Sequence, residues 1–186
     1  MIEQILTYDK EILLLINGAH NQVFDVIMLF ISSKFGWFPL YIFLIYIIIK
    51  DYGRKIWFVM LMIAITILLS DQISVQLFKN VFQRLRPCHE ENLSGILHMV
   101  KWCGGKYGFI SSHATNSFAI VTFTILILRK QHIWIWPIML IYGLLIIYSR
   151  IYLGVHYPTD VLVGTLVGIV IGMVTFSIFK FSIKRI

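Results

Sequence analysis

The stretch SRIYLGVHYPTD, residues 149–160, contains three side chains that can do chemistry in an otherwise apolar segment: Arg150, His156 and Asp160. Asp160 lies four residues after His156. That spacing is about one helical turn if a helix begins near Pro158, because proline is favoured at the first helical position. Such a carboxylate holds one tautomer of the imidazole and leaves the far ring nitrogen free to attack an electrophile. The spacing therefore predicts an activated histidine.

A second histidine and two further cations are expected near Arg150, His156 and Asp160, on the same side of the membrane that the apolar composition indicates. Lys79 and Arg86 are seven residues apart, so on a helix they would share a face, and Pro87 would end that helix. Together with Arg150 they make three long cations, and a phosphate with its spread oxygens is the ligand that needs such a cluster. His113, in FISSHATNSF, can supply a proton.

These residue types predict phosphate-ester hydrolysis through a phosphohistidine. His156 would attack the phosphorus while His113 protonates the leaving oxygen, and in-line displacement requires the two groups on opposite sides of the phosphorus. Taken singly, a histidine at a helix start is more often a structural hydrogen-bonder, and a lone cation at a span end snorkels to lipid phosphates. Two histidines with three cations favour the catalytic interpretation.

The composition indicates a membrane protein. Hydrophobic residues make up 59% of the 186 residues, charged residues make up 13%, and the mean hydropathy is +0.83. These values lie outside the soluble globular range. We expect a single integral-membrane domain over residues 1–186 without a cleavable signal peptide, because MIEQILTYDKE lacks a basic n-region. Nothing in the composition predicts a nucleic-acid partner, and we expect a monomer or a weak homodimer.

Hydrophobic runs predict an all-α, polytopic bundle of five to six transmembrane helices. A run over 23–49 is interrupted by SSKFG, either as a kink with Lys34 snorkelling or as a break between an interfacial helix and a span beginning near Trp37. An amphipathic interfacial helix is predicted for residues 2–16, with a sixth span there as the alternative. Four further runs are clear: 56–78, 110–128, 133–149 and 159–179.

Basic residues suggest an orientation in the cell's inner membrane. One face of the predicted bundle collects Lys50, Arg54, Lys55, Arg129, Lys130, Lys180, Lys184 and Arg185, opposed only by Asp51. By the positive-inside tendency this face is cytoplasmic, which puts the site on the outer, periplasmic or extracellular face. The outer face also holds bases: Lys79, Arg84, Arg86, Lys101, Lys106 and Arg150. The orientation therefore depends on assigning some of these bases to the site.

Three motifs resemble the type 2 phosphatidic-acid phosphatase family, which shares its site with vanadium-dependent haloperoxidases. The family's K-x6-R-P, P-S-G-H and S-R-x5-H-x3-D motifs are matched by KNVFQRLRP (79–87), ISSH (110–113) and SRIYLGVHYPTD (149–160). The second motif departs twice, with Ile110 for proline and Ser112 for glycine.

The resemblance implies a role for each matching residue. His156 would be the nucleophile, His113 the general acid and Asp160 the residue that orients His156. The phosphate-binding set would be Lys79, Arg86, Ser111 and Arg150, to which we add Ser112 in the glycine position. Family members in bacteria act on undecaprenyl pyrophosphate, lipid A phosphates, phosphatidylglycerol phosphate or phosphatidic acid. By analogy we rank undecaprenyl pyrophosphate first and lipid A second.

Metals and cofactors are not expected. Two-metal phosphatases need several carboxylates at one site, and this one offers Asp160 alone. Cys88 and Cys103 are better explained as a disulfide, because the rival zinc site, with His89 and His98, lacks paired CxxC spacing.

Two other classes of protein are compatible with some of these residues. A haloperoxidase would use the same residues around vanadate, but its relatives are soluble. A transporter would need more mid-span charges than Asp71 and Lys34.

Asp71 is an ionisable residue inside a span, and the sequence does not name its partner. The repeat of Gly164, Gly168 and Gly172 predicts close helix packing, within the monomer in preference to a dimer.

Overall fold

The computed structural model describes residues 2–100 and 102–185, and these form a bundle of helices. The all-α prediction is confirmed, since the described residues contain no strand beyond one isolated bridge between Leu85 and Tyr107. The seven longer helices are α1 Ile2–Gly18, α2 Gln22–Ser32, α3 Phe38–Tyr52, α4 Ile56–Gln72, α5 Ser112–Leu128, α6 Ile135–Tyr152 and α7 Pro158–Ser182. Helix α4 continues through a π-helical segment, Ile73–Lys79, as far as Phe82. Lys101, one of the predicted outer bases, lies outside the described residues.

Helices in the described chain are long and apolar enough to cross a membrane. Three runs satisfy this by length and composition: Phe35–Phe82, Ile135–Tyr152 and Pro158–Ser182. A fourth is possible if α1 and α2, which meet at 116°, count as one broken span. Helix α5 is apolar but shorter, at 17 residues. The predicted total of five to six crossings, like the interfacial placement of α1, stays a prediction.

The interruption at SSKFG divides the hydrophobic run over 23–49 into two helices, α2 and α3, and does not merely kink one helix. Helix α2 ends before Ser33, whose backbone is extended, and the indole Nε1 of Trp37 donates to the carbonyl of Ile31 over 2.8 Å. The chain reverses again at Gly53, whose φ of 50° suits glycine. Trp37 and Tyr41, near the start of α3, line the same cavity as Ile67 and Asp71, near the end of α4, so the two helices run in opposite directions.

Contacts between helix ends divide the bundle into two ends. At one of them, the hydroxyl of Tyr52 donates to the carbonyl of Ile127 over 2.9 Å, and Lys55 reaches the carbonyl of Ile183. The other end, called the site end here, contains the end of α4, the start of α5, the end of α6 and the start of α7. The predicted cytoplasmic bases 50–55, 129–130 and 180–185 thus gather at the end opposite the site.

A close contact between α5 and α7 fixes the site end. Gly164, Gly168 and Gly172 of α7 face the α5 backbone, and a Cβ added at Gly164 would lie 2.9 Å from the carbonyl oxygen of Ser111. Small residues permit this approach between membrane helices. At the top of the contact the amide of Ser111 donates to the carbonyl of Asp160 over 3.0 Å. The glycine repeat therefore packs within the monomer, and it brings the two histidine-bearing segments together.

We predict that replacing Gly172 by alanine destabilises the bundle. The added methyl would lie 2.6 Å from the backbone carbonyl of Ala119, which cannot rotate away, so α5 and α7 must separate. Overpacking of this kind costs about 1–3 kcal/mol. Thermal unfolding in detergent should show a lower midpoint than for the wild type.

Gly18→Ala is the matched control, because nothing lies within 4 Å of a Cβ at that position. An unchanged midpoint for Gly172→Ala would mean that α5 and α7 are less tightly apposed than described.

Candidate active site

The short loop between α6 and α7 places His156 beside Asp160. Helix α7 begins at Pro158, as the sequence predicts, and the carboxylate of Asp160 in its first turn accepts from the amide of Tyr157 over 3.1 Å. The same oxygen lies 3.4 Å from Nδ1 of His156, a long contact of the kind that tightens when substrate binds. Both side chains are buried, at 1% and 0% exposure.

The partner of the other ring nitrogen fixes the tautomer of His156. Nη1 of Arg86 lies 3.2 Å from Nε2, and because a guanidinium only donates, Nε2 must accept. The proton of the neutral ring therefore sits on Nδ1, facing Asp160. Burial, followed by the positive charges of Arg86, Arg150 and Lys79, holds the pKa of His156 well below its usual value. The ring is neutral at pH 7, with its Nε2 lone pair directed towards cations.

Lys79, Arg86 and Arg150 thus converge on one histidine, and they also lie within electrostatic range of the ring of His113. Lys79 and Arg86 do not reach the site in the way that their spacing predicts. They do not share a helix face, because the helix ends at Phe82 and the chain turns at Gln83, where φ is 48°. Arg86 reaches the site from the loop that follows.

The two serines of the ISSH segment have different surroundings. Nζ of Lys79 donates to the hydroxyl of Ser112 over 2.6 Å, and this hydroxyl lies 2.7 Å from that of Ser74. Ser111 is fully buried, and its side chain caps helix α5 by accepting from the amide of Ala114. Ser112 is therefore the serine that touches the cation cluster, and Ser111 orients the helix that carries His113.

Two buried guanidinium atoms have no acceptor among the described residues: Nε of Arg86 and Nε of Arg150. Nη1 of Arg150 donates to the hydroxyl of Ser32 at the end of α2. A buried donor without an acceptor costs about 1–3 kcal/mol. An anion between the two arginines would supply acceptors for both, which matches the donor set of a phosphate site.

Sequence reasoning missed a network behind the Asp160 carboxylate. Arg84 donates to Oδ1 of Asp160 over 3.0 Å and to Asp9 of α1 over 2.7 Å, and its guanidinium lies 4.1 Å above the ring of Tyr157. Asp9 also accepts from the amide of Thr159 over 2.8 Å. Arg84 was counted only as an outer base. A signal for Asp9 existed, because it lies four residues before the fully buried Leu13 and so shares its helix face.

Cysteines brace the loop that carries Arg84 and Arg86. Cys88 and Cys103 are joined as a disulfide with a Cα–Cα distance of 6.0 Å, which is in the usual range. The rival zinc set is not assembled as a foursome, because His98 instead contacts Asp25 over 3.0 Å. His89 stays near the two cysteines and contacts the carbonyl of Gly104 over 3.3 Å.

A cavity of about 570 Å³ opens beside His113. Ser112, His113 and Asn116 line its site end, and the wall continues along α5 to Thr124. His113 and Thr124 are 11 helical steps apart, which corresponds to about 16 Å of helix, roughly half of the hydrocarbon thickness. Aliphatic side chains of α3, α4 and α6 form much of the remaining wall. His113 is exposed to this cavity, whereas the buried His156 is not part of its lining.

The combination of the two histidines, Asp160 and the three cations can bind and attack a phosphoryl group, and it lies at one end of a bundle of apolar helices, as expected of a membrane phosphatase. Comparison with known proteins agrees, since the sequence profile of the PAP2 superfamily matches residues 55–184. The chain belongs to the PAP2 superfamily. It is a hydrolase that acts on lipid phosphate esters.

Among characterised sequences, the chain is similar to a lipid A 4'-phosphatase of Porphyromonas gingivalis, with 34% identity over 99% of this chain and 78% of that protein. It is also similar to an undecaprenyl-diphosphatase of Sulfolobus acidocaldarius, with 29% identity over 89% of this chain and 76% of that protein.

Two solved structures are similar to the fold. LpxE of Aquifex aeolicus aligns with a TM-score of 0.63 and 28% identity, over 90% of this chain and 93% of that one. A PAP2-type phosphatidylglycerolphosphate phosphatase of Bacillus subtilis aligns with a TM-score of 0.73, over 95% of this chain and 87% of that one. At 20% identity the second comparison bears on the fold alone.

We predict that Arg84→Ala lowers kcat about 100-fold, because Arg84 holds Asp160 and a small misplacement of a reacting group costs about 100-fold in rate. KM should change little, because Arg84 is not one of the three cations Lys79, Arg86 and Arg150. Steady-state hydrolysis of a lipid phosphate in mixed micelles checks this.

Lys106→Ala removes an exposed cation from the same loop and should leave kcat unchanged. Arg84→Lys, which keeps the charge but loses the fork that joins two carboxylates, should fall between wild type and Arg84→Ala. Wild-type kcat in Arg84→Ala would show that Asp160 is held without this contact.

Proposed function

We propose that the chain hydrolyses a lipid phosphate ester in two steps, with His156 as the nucleophile. The observation that supports this most directly is the contact of Arg86 with Nε2 of His156, because it requires a free lone pair on that nitrogen. Asp160 keeps the proton on Nδ1 and stabilises the positive charge that develops on the ring.

In this proposal Lys79, Arg86 and Arg150 bind the equatorial oxygens of the phosphoryl group. Their charges neutralise the negative charge that builds up in the transition state. The unpartnered Nε atoms of the two arginines support this assignment. The hydroxyl of Ser112 and the first amides of α5 provide further donors, since a helix N-terminus favours an anion. Ser111, predicted as a phosphate ligand, acts in this proposal through its cap on α5.

The bonds change as follows in the proposed reaction. Nε2 of His156 forms a bond to phosphorus while the bond from phosphorus to the leaving oxygen breaks, and the leaving oxygen takes a proton from His113. Water then forms a bond to phosphorus while His113 accepts a proton from it, the bond from phosphorus to Nε2 of His156 breaks, and inorganic phosphate leaves. His113 lines the cavity and His156 does not, and this difference supports the role of His113 as the acid.

Lipid A is the substrate class we place first, ahead of undecaprenyl pyrophosphate, which analogy with the family ranked first. The reason is the similarity to the lipid A 4'-phosphatase over nearly the whole chain. The second candidate is undecaprenyl pyrophosphate, favoured by the similarity to an undecaprenyl-diphosphatase over 89% of the chain. The apolar cavity suits the hydrocarbon portion of either lipid.

We further propose that the protein sits in the inner membrane with the site on the outer face. The clustering of bases at the end opposite the site supports this, by the positive-inside tendency. A disulfide in the loop of the site end also requires an oxidising compartment. The protein works as a monomer or weak homodimer.

The proposed nucleophile predicts a trapped intermediate. Purified enzyme mixed with a ³²P-labelled lipid phosphate and quenched within one turnover should carry acid-labile, base-stable label on His156. His156→Ala should lose the label and at least about 10⁴-fold of kcat, because the covalent route is removed. His113→Ala, in contrast, should retain a slow burst of label with leaving groups of low pKa, which need no proton.

Label at another residue, or none in a reacting wild-type enzyme, would contradict the nucleophile. His20→Ala is a matched control, since His20 is an exposed histidine at the site end that stacks on His98 outside the proposed site.

We predict that hydrolysis does not require a divalent metal ion. Asp160, the carboxylate that contacts His156, is already engaged by Arg84 and the amide of Tyr157. Activity measured in excess EDTA should equal that measured in magnesium. Complete loss in EDTA, restored by magnesium, would refute this and would require a two-metal site.

A further inference from the structure

The cavity beside His113 contains a carboxylate that the proposed reaction does not use. Asp71 lies near the end of α4 and lines the cavity together with Ser112, His113 and Asn116. An ionisable residue at membrane depth is costly, and such residues usually face a cavity or a partner. Asp71 therefore needs an explanation at this site.

The hydrogen-bonding capacity of Asp71 is free to serve a ligand. Within the part of the chain that the structure describes, its carboxylate makes no side-chain hydrogen bond and no ion pair within 4.0 Å. Its backbone carbonyl alone is engaged, by the hydroxyl of Ser74 over 2.9 Å. The neighbouring Asn116 accepts from Ser70 over 2.7 Å through Oδ1, which leaves its two Nδ2 protons for the cavity.

The in-line geometry assigns the cavity to the leaving group. A nucleophile and a leaving group lie on opposite sides of phosphorus. His156 is buried and does not line the cavity, whereas His113, the proposed donor to the leaving oxygen, does line it. The part of the substrate bonded to the leaving oxygen therefore enters the space that Asp71 and Asn116 face.

We propose that Asp71 selects the leaving group, which rests on the proposed function of the site. Its carboxylate accepts hydrogen bonds from the hydroxyl groups of a sugar-borne leaving group, as in a phosphorylated glycolipid, and Asn116 donates to the sugar's oxygens. A leaving group that carries a second phosphate, as in a prenyl diphosphate, meets the negative charge of Asp71 at low dielectric and is disfavoured.

Asp71→Asn tests this with three substrates in the same mixed micelles: lipid A, undecaprenyl diphosphate and phosphatidic acid, whose diacylglycerol leaving group lacks both features. We expect kcat/KM to fall roughly 10-fold or more for lipid A, the usual loss for a hydrogen bond to a charged group. It should rise several-fold for the diphosphate and change least for phosphatidic acid.

Two further variants separate selection from other effects. Glu11→Gln makes the same charge change on an exposed residue at the site end and should alter none of the three rates. Asp71→Glu keeps the charge but shifts its position, so discrimination against the diphosphate should survive while lipid A hydrolysis falls. This variant also serves if Asp71→Asn does not fold.

Two results would overturn the proposal. An equal change for all three substrates would mean that Asp71 acts on the phosphate site through Lys79, eight residues along the chain. Unchanged ratios would mean that it does not meet the leaving group.

Failure of the proposed function would look different, since wild-type enzyme would then prefer undecaprenyl diphosphate or ignore lipid A. The ratio of diphosphate to phosphatidic acid hydrolysis in Asp71→Asn would still test the repulsion.

Discussion

The buried carboxylate of Asp160 is the interaction on which the site depends. A buried charge costs several kcal/mol unless it is paired and hydrogen-bonded. Here it contacts Nδ1 of His156, the amide of Tyr157 and the guanidinium of Arg84, and Arg84 in turn binds Asp9. One carboxylate thereby joins the loop before α7, the segment after α4 and the N-terminal helix. The orientation of His156 therefore depends on the packing of all three of these segments.

On the Nε2 side of the His156 ring the charges are positive, and the cations there repel one another. Arg86, Arg150 and Lys79 all act on this ring, and burial weakens the screening that water would provide. Rigid packing must hold them together. The glycine edge of α7 lets α5 approach to backbone contact, which fixes the ends of both helices at the site. Preorganised charge of this kind is what stabilises a developing anion most effectively.

The two histidines differ in access, and this asymmetry matches the chemistry of a lipid phosphatase. His156 is buried in contact with Arg86, while His113 lines a cavity whose wall continues along α5 to Thr124. In the proposed reaction the phosphate binds the cations, and the apolar wall of the cavity faces the hydrocarbon portion of the lipid.

The sequence alone determined the helical class, the approximate bounds of α4 to α7 and the pairing of His156 with Asp160, because these depend on local hydropathy and on one helical turn. The sequence prediction of how Arg86 reaches the site was wrong. The helix ends at Gln83, where φ is positive, and the spacing of residues 79 and 86 does not reveal that end. Only the tertiary structure joined Asp9 to Arg84 and placed Asp71 on the cavity of His113. Those relations link residues tens of positions apart, and they arise from how helices pack, which no local pattern encodes.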